Sequence, residues 1–590
     1  MLETRVLSCD LCVVGGGLSG MAAAISAARE GLQVVLMHER AVLGGNASSE
    51  IRMWISGARG ESNRETGIIE EIILENHYRN PTKSYAVWDT VLYDFVRREK
   101  NIQLLLNCPC MDCEAEEGVY PYGRTRRIRS VTGYQMTTQR FIRVEAKFFA
   151  DCSGDSILAP LSGAEFRIGR ESGMEFNEDT PLAQGDNMTM GMSCLIQGRE
   201  TANPVPYYPH TWSSELKDAD FEDRMPDLYN DAENFWYLEL GGNRDSIGDT
   251  EEIRDQLLEL ATGTWDYIKR TPKFKAQNWD LDFLGFLPGK RESRRMVGEY
   301  ILTQRDVSDG VVFADEIAFG GWPLDDHFPG GFYHKGTPNT DIATPAPYSI
   351  PYRTLYSANV DNLFFAGRNI SVTHFALSSV RVMATCALLG EAVGKAAFLA
   401  VTNKVTPHDI YLNHLEDLQT LLLNADCFLP SKRRTVSAIC ATAELSGADN
   451  SIRNGIDRNH PIYGGGDTSR CDPGMAITYT FPAHEVRSVH LVFDSDLNRK
   501  TLPGSWVEQA RCMRSNQRLD HPQTALPTVL CKEFTLVGYL QDEPKFSLHV
   551  EENRKRSYHI QTEATFDKLV LTPQQSWGSD QIPVISFDFQ

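Results

Sequence analysis

The segment Asp10–Arg40, DLCVVGGGLSGMAAAISAAREGLQVVLMHER, constrains this 590-residue chain more than any other. Leu11–Val14 is a short apolar run of the kind a parallel strand covered on both faces needs. Gly15, Gly17 and Gly20 follow in G-x-G-x-x-G spacing. The first glycine allows a tight turn, the second lets a pyrophosphate approach the backbone, and the third lets a helix pack close to the strand. Met21–Arg29 is rich in alanine and suits that helix, whose N-terminal N–H groups face phosphates. Val34–Met37 forms the next strand, and Glu39 lies where a carboxylate accepts hydrogen bonds from ribose hydroxyls. The segment reads as a βαβ unit for an adenine dinucleotide. Its candidate contacts are Gly15, Gly17, Leu18, Ser19, Gly20, Glu39 and Arg40.

Gly44-Gly45-Asn46-Ala47-Ser48-Ser49 comes a few residues later. Gly44 and Gly45 permit close backbone approach, and Ser48 and Ser49 supply hydroxyls. A second double glycine at this distance resembles FAD proteins of the glutathione-reductase and fumarate-reductase superfamily. The resemblance implies FAD, which lies extended, so that a second loop containing Gly44, Gly45, Asn46, Ser48 and Ser49 meets the pyrophosphate and ribityl chain. Ala146–Ala159 runs from a strand into Cys152-Ser153-Gly154-Asp155. It is similar to the strand and A-T-G turn with which that superfamily returns beside the dinucleotide, with Cys152 and Ser153 replacing alanine and threonine. In the third segment, Asp361–Ala400, Leu363–Phe365 reads as a strand, Gly367-Arg368 as a turn and Phe375–Ala400 as one long helix. Many superfamily members carry Gly-Asp at that turn. Gly367-Arg368 departs from them and resembles bacterial FAD-dependent oxidoreductases with A-G-R-x-I-S and R-V-M motifs. This likeness spans residues 1 to about 430. It implies that the long helix, with Ser378, Ser379 and Arg381 in its early turns, aims its positive end at the flavin.

The fold class expected is α/β: a Rossmann-like FAD-binding domain with an inserted α+β substrate domain, plus a C-terminal antiparallel β-sandwich. The boundaries are 1–165 and 355–430 for the FAD domain, 166–354 for the insertion and 431–590 for the sandwich. Short alternating segments such as Ala476–Phe481, Ser488–Asp494 and Phe534–Leu540 support the sandwich. Ser488–Asp494, Asn553–Arg556 and Ser576–Gly578 resemble galactose-binding or discoidin-like modules. No second G-x-G-x-x-G sits between a strand and a helix, so an external electron acceptor is expected rather than a built-in NAD(P)H domain.

The net charge of −21 disfavours nucleic acid as a partner. With no basic-apolar leader and no apolar run of about 18 residues, neither signal peptide nor membrane span is expected, and the location expected is cytoplasmic. Cys9 and Cys12, and Cys108, Cys110 and Cys113, have spacings that also serve metals. Both groups adjoin apolar strands, so core packing is the reading and no metal is expected.

Flavin chemistry needs a substrate bond near the ring and a group that moves a proton. His374, between the third flavin strand and its helix, is the first catalytic candidate. His334 and His327 lie in the Gly/Pro-rich 320–351 loop, and Arg52 and Arg381 are candidates for holding an anion. Arg291, Arg294 and Arg295 read as a surface ion-pair network with Glu292 and Glu299. Trp236 and Trp322 suit stacking on a sugar or burial in a core. The expected activity is oxidation of a CH–OH group on a small-molecule substrate such as a carbohydrate. Two alternatives stand beside it: C=C reduction or dehydrogenation of the fumarate-reductase type, and glycan binding with a structural FAD. A homo-oligomer is an open expectation.

Overall fold

The computed structural model describes residues 2–230, 233–500 and 513–590, and the chain folds into two compact units. The first comprises Met1–Arg59, Thr82–Leu418 and Arg511–Gln523. Its main sheet contains β1 (Thr4–Val14), β2 (Val34–Met37), β3 (Ile102–Leu105), β4 (Cys110–Glu117), β5 (Arg126–Gln135), β6 (Arg140–Asp151) and β7 (Leu363–Phe365). The parallel part runs β3-β2-β1-β6, and β7 joins the C-terminal end of β6, with Phe365 beside Asp151. β5 and β4 continue antiparallel from the N-terminal half of β6. Leu11–Val14 are all buried, as a strand covered on both faces must be.

α1 (Leu18–Arg29) follows the glycine turn and buries every residue from Leu18 to Ala28. The single helix expected over 375–400 is instead α2 (His374–Val380) and α3 (Met383–Asn403). Val382 between them is extended, at φ −66° and ψ 143°. The Arg381 side chain is held by the carbonyl and carboxylate of Asp325 at 2.9 and 3.2 Å, a tertiary tie that periodicity does not reveal. α3 is long and apolar enough to cross a membrane, a feature the sequence reading did not register, yet it is almost wholly buried. It packs on α1 through glycines. A Cβ at Gly390 would lie 2.0 Å from the Ser19 carbonyl oxygen, and one at Gly394 2.6 Å from that of Ala23.

The segment between β6 and β7 builds its own core around the helix Thr250–Arg270. Ile253, Leu257, Leu260, Trp265 and Ile268 meet Met192, Ile196, Phe235, Leu238 and Trp279. Among the described residues, small two- and three-stranded sheets accompany this helix. The expected surface network at 291–295 is internal instead: Arg291 and Arg295 are 5% and 1% exposed. Arg295 lies 2.9 Å from Glu171 and 3.3 Å from Glu292, because a buried guanidinium is tolerated only when paired.

The second unit comprises Gly60–Pro81, Gln419–Ala510 and Thr524–Gln590. Residues 60–81, placed by sequence in the FAD domain, belong here because Leu74 enters this unit's core and Glu70 pairs with Arg499 at 2.8 and 2.9 Å. Among the described residues, seven strands form one antiparallel sheet: Glu444–Ser446, Ser469–Cys471, Ile477–Phe493, Cys531–Leu540, Glu543–Val550, Ser557–Ser576 and Ile582–Phe589. The segments expected at 476–481 and 488–494 are one strand, whose register shifts between Thr480 and His484 and between Val486 and Ser488. Both its halves feed one core, through Ile477, Tyr479 and Phe481 and through Val489, Leu491 and Phe493. Glu533, His549 and Glu551 cluster on this unit's partly exposed surface.

Cys9, Cys12, Cys108, Cys110 and Cys113 are free thiols. Burial raises Cys108 to about 11 and Cys9 and Cys113 to about 12, so they remain thiols that fill space.

Candidate functional site

A cavity of about 790 Å³ lies within the first unit. One end is built by the two glycine loops. Gly15 has φ +108°, and a Cβ there would lie 2.3 Å from the Cys152 carbonyl oxygen. A Cβ at Gly20 would lie 1.8 Å from the Gly15 carbonyl oxygen. At Gly17 the nearest atom would be the Gly45 Cα at 3.8 Å, so this position opens onto the cavity. The Gly44 N–H donates to the Gly16 carbonyl at 2.9 Å and stitches the second loop to the first. His38 braces the turn. Its Nδ1 lies 2.9 Å from the Gly16 nitrogen and 3.0 Å from Glu39 Oε2, and its Nε2 faces the Val42 carbonyl at 2.9 Å.

Most sequence-predicted contacts line this end: Gly15, Gly17, Leu18, Ser19, Glu39, Arg40, Gly44, Gly45, Asn46, Cys152, Ser153, Gly154, Asp155, Gly367 and Arg368. Gly20 serves the close packing behind them. Ser48 and Ser49 are not among the lining residues; the Ser49 N–H donates to Asp89 at 3.1 Å. Ser378 and Ser379 also lie off the cavity. Ser378 Oγ donates to the Phe375 carbonyl at 2.6 Å, and Ser379 Oγ bonds Tyr348 and the Trp322 carbonyl. The α3 N-terminus borders the cavity instead, through Arg381, Val382, Met383 and Cys386.

Arg368, which departs from the Gly-Asp expected at this turn, has an acidic partner in the structure. Asp155 accepts from Arg368 at 2.6 Å, Lys290 at 2.9 Å and Ser293 at 2.7 Å. Burial opposes the charge of Asp155, but Arg368 and Lys290 hold it well below the usual carboxylate range. Two cations and one anion leave this wall net positive. Lys290 carried no signal in the sequence beyond its neighbours; its carbonyl accepts from Asn46 at 3.0 Å, which ties the insertion to the second glycine loop.

These features fit an extended dinucleotide. The open Gly17 position admits a diphosphate to backbone N–H groups, and the Arg40 guanidinium lines the same end with Glu50 3.6 Å from its Nη1. Replacing Arg368 by Met is expected to weaken FAD binding about tenfold, the effect of one charge-assisted contact. Fluorescence titration of the flavin-stripped chain measures it, and unchanged affinity would remove Arg368 from the cofactor wall.

The other end is lined by Arg59, Trp236, Arg291, Trp322, Asp325, His327, Asn339, Asp341 and Arg381. Trp236 and Trp322 thus face a cavity rather than a sealed core. Arg59 lies over the Trp322 ring at 4.5 Å, and Trp322 Nε1 donates to Asp325 at 3.1 Å. Arg381 and His327 line the cavity, whereas His374, His334 and Arg52 are not among its lining residues. His374, 4% exposed, is held between Glu292 at 2.8 Å and Asp326 at 3.1 Å. Burial disfavours its charge, but the two carboxylates raise it to about 10, so its ring is a fixed cation. His334 stacks on Phe328 at 4.1 Å, away from the cavity. Arg52 lies between Tyr85 at 4.7 Å and Phe283 at 4.0 Å and bonds Gln197, again off the cavity. His38 is at the glycine-loop end, and the histidine at this end is His327. Its sequence signal was only its place in a long Gly/Pro-rich loop, where functional residues concentrate.

Residues 10–422 match the family described as FAD dependent oxidoreductase. A 110-residue stretch is 33% identical to 4-oxocyclohex-2-ene-1-carboxylate 5-dehydrogenase of Sinomonas cyclohexanicum. That match covers 18% of this chain and 19% of the relative, so only about a fifth of the relative's length is spanned. Among solved structures, a geranylgeranyl bacteriochlorophyll reductase-like protein of Thermoplasma acidophilum is 12% identical, covers 71% of this chain and 83% of its own, and gives a TM-score of 0.30. E. coli quinol fumarate reductase FrdA is 11% identical over 71% and 75%, with a TM-score of 0.28. A family 32 carbohydrate-binding module from Streptococcus pneumoniae EndoD is 12% identical over 26% and 99%, with a TM-score of 0.19.

Proposed function

The chain belongs to the FAD-dependent oxidoreductase family, and on that premise we propose that it oxidises a CH–OH group of a small polar substrate such as a sugar. The observation that carries this reading is the far end of the cavity. Two indoles, Trp236 and Trp322, stand there with Asp325, Asn339, Asp341 and Arg59. Flat apolar faces beside planar donors and acceptors suit a ring that is apolar on its faces and hydroxylated at its edge.

Bound FAD supplies a hydride acceptor. Gly15 to Ser19, Glu39, Arg40, Gly44 to Asn46, Cys152 to Asp155, Gly367 and Arg368 are the residues proposed to hold it. The α3 N-terminus offers partial positive charge to whatever anion lies against it. Anaerobic incubation of the FAD-loaded chain with a panel of sugars is expected to bleach the flavin. A flavin that no sugar reduces, while an artificial reductant does, would overturn the reading.

A second reading rests on the Sinomonas relative, whose name describes a dehydrogenase acting on a cyclohexene carboxylate. Here the substrate bond is C–C rather than C–O, and Arg381 holds the carboxylate. Turnover of cyclic enoates, with sugars inert, would favour it. The antiparallel unit is read as a galactose-binding-like module on its strand pattern, and binding of the full chain to immobilised glycans tests that.

A further inference from the structure

Resting on the CH–OH oxidation reading, we infer that His327 Nε2 accepts the substrate hydroxyl proton, with Glu239 as the positioning residue behind it. His327 lines the cavity between Trp236 and Asp325, whereas His374 and His334 do not. Its Nδ1 lies 2.6 Å from Glu239 Oε2. Glu239 is 3% exposed, and although burial opposes its charge, Arg291 at 3.5 Å and His327 hold it below the usual carboxylate range. A carboxylate only accepts, so Nδ1 donates to Glu239, and the proposed role places the lone pair on Nε2.

Asp325 Oδ1 is 3.4 Å from Nε2 but has other donors. Its carboxylate accepts from Trp322 Nε1 at 3.1 Å, from Arg381 Nη2 at 3.2 Å and from Asn339 Nδ2. The Nε2 side of the ring thus borders both the Asp325 carboxylate and the cavity. Trp236 meets the imidazole edge-on, with centroids 5.2 Å apart and planes at 69°, which fixes the ring plane. A bridge from His327 to Asn339 and one from Leu324 to Ile342 pin the loop itself.

The chemistry balances with the oxidised flavin as electron acceptor. The O–H proton passes to Nε2, the C–H bond breaks with its electron pair leaving as hydride to the flavin, and the C–O bond becomes a carbonyl. The charged groups about the ring are Glu239 and Asp325, offset by Arg291 and Arg381. Glu239 acts only through His327, since it does not line the cavity.

The test uses the full chain loaded with FAD. In H327A, anaerobic flavin bleaching by a sugar substrate is expected to slow by roughly 10²- to 10⁴-fold with flavin content retained. Free imidazole should restore part of the rate, and the acid limb of the wild-type pH profile should vanish. A flavin-independent readout is the ¹⁵N spectrum of the substrate-free chain, where His327 should show protonated Nδ1 and bare Nε2, and E239Q should shift that balance. Bleaching of H327A within about threefold of wild type, or a ring doubly protonated throughout about pH 6 to 9, overturns the inference. If wild type is bleached and H327A matches it, the inference alone falls. If no sugar bleaches wild type, the oxidation reading falls and the inference with it.

Discussion

A Gly17→Ala chain is expected to keep its fold but purify nearly free of flavin, whereas Gly20→Ala is expected to lose the turn itself. The contrast comes from where each added methyl would point. At Gly20 it would sit 1.8 Å from the backbone oxygen of Gly15, and no rotamer change relieves a clash with backbone. α1 would have to move away from β1. Ordinary overpacking costs about 1–3 kcal/mol, and a backbone clash at this distance lies at or beyond the top of that range. At Gly17 the nearest atom would be 3.8 Å away, so the protein tolerates the methyl and the space it takes belongs to the ligand. Loss of close diphosphate approach should weaken FAD by at least about 100-fold, equivalent to about 3 kcal/mol. Flavin absorbance per protein and thermal melting of the stripped chains separate the two effects. A Gly17→Ala chain that retains stoichiometric flavin would sink the assignment of that turn to the diphosphate.

The glycine turn was legible because it is local. Leu11–Val14, the glycine spacing and Val34–Met37 each state their conformation through residue type alone, and the sheet realises them. The same holds for Cys152–Asp155 and Gly367-Arg368, which return beside the first turn. What failed was decided by distant partners. The apolar run 375–400 reads as one helix, yet Arg381 is tied to Asp325, 56 residues away in sequence, and the helix breaks there. Ser378 and Ser379 are consequently on the short helix, bonded inward, while Arg381, Val382 and Met383 face the cavity. Charge was misplaced in the same way. A run such as Arg291-Glu292-Ser293-Arg294-Arg295 looks solvated, because a sequence does not display the buried Glu171 and Glu239 that neutralise it. In the second unit, bulges let one strand pass through what local pattern divides into two.

His374, which does not line the cavity, supplies the other large effect. His374→Gln is expected to lower stability by about 3–5 kcal/mol at neutral pH, the cost of breaking a buried charge set by removing one member. Glu292 would keep only Arg295 and the Met190 N–H, and Asp326 would lose its cation. The pH dependence distinguishes this from simple loss of packing. The two carboxylates raise the folded pKa of His374 from 6.5 to about 10 against the opposing effect of burial. A group whose folded pKa is raised binds its proton more tightly in the native state, so its contribution is complete below about pH 6.5. That contribution is lost as pH rises through about 10. Wild type should therefore lose stability between pH 7 and 10, and His374→Gln, already without the charge, should show a flatter alkaline limb. Because one kcal/mol moves Tm by only a few degrees in a chain of this size, the comparison is best made as two full melting series across pH. Parallel alkaline slopes in the two proteins would show that the imidazolium is not what binds Glu292 and Asp326 together, and would return His374 to the candidates for chemistry.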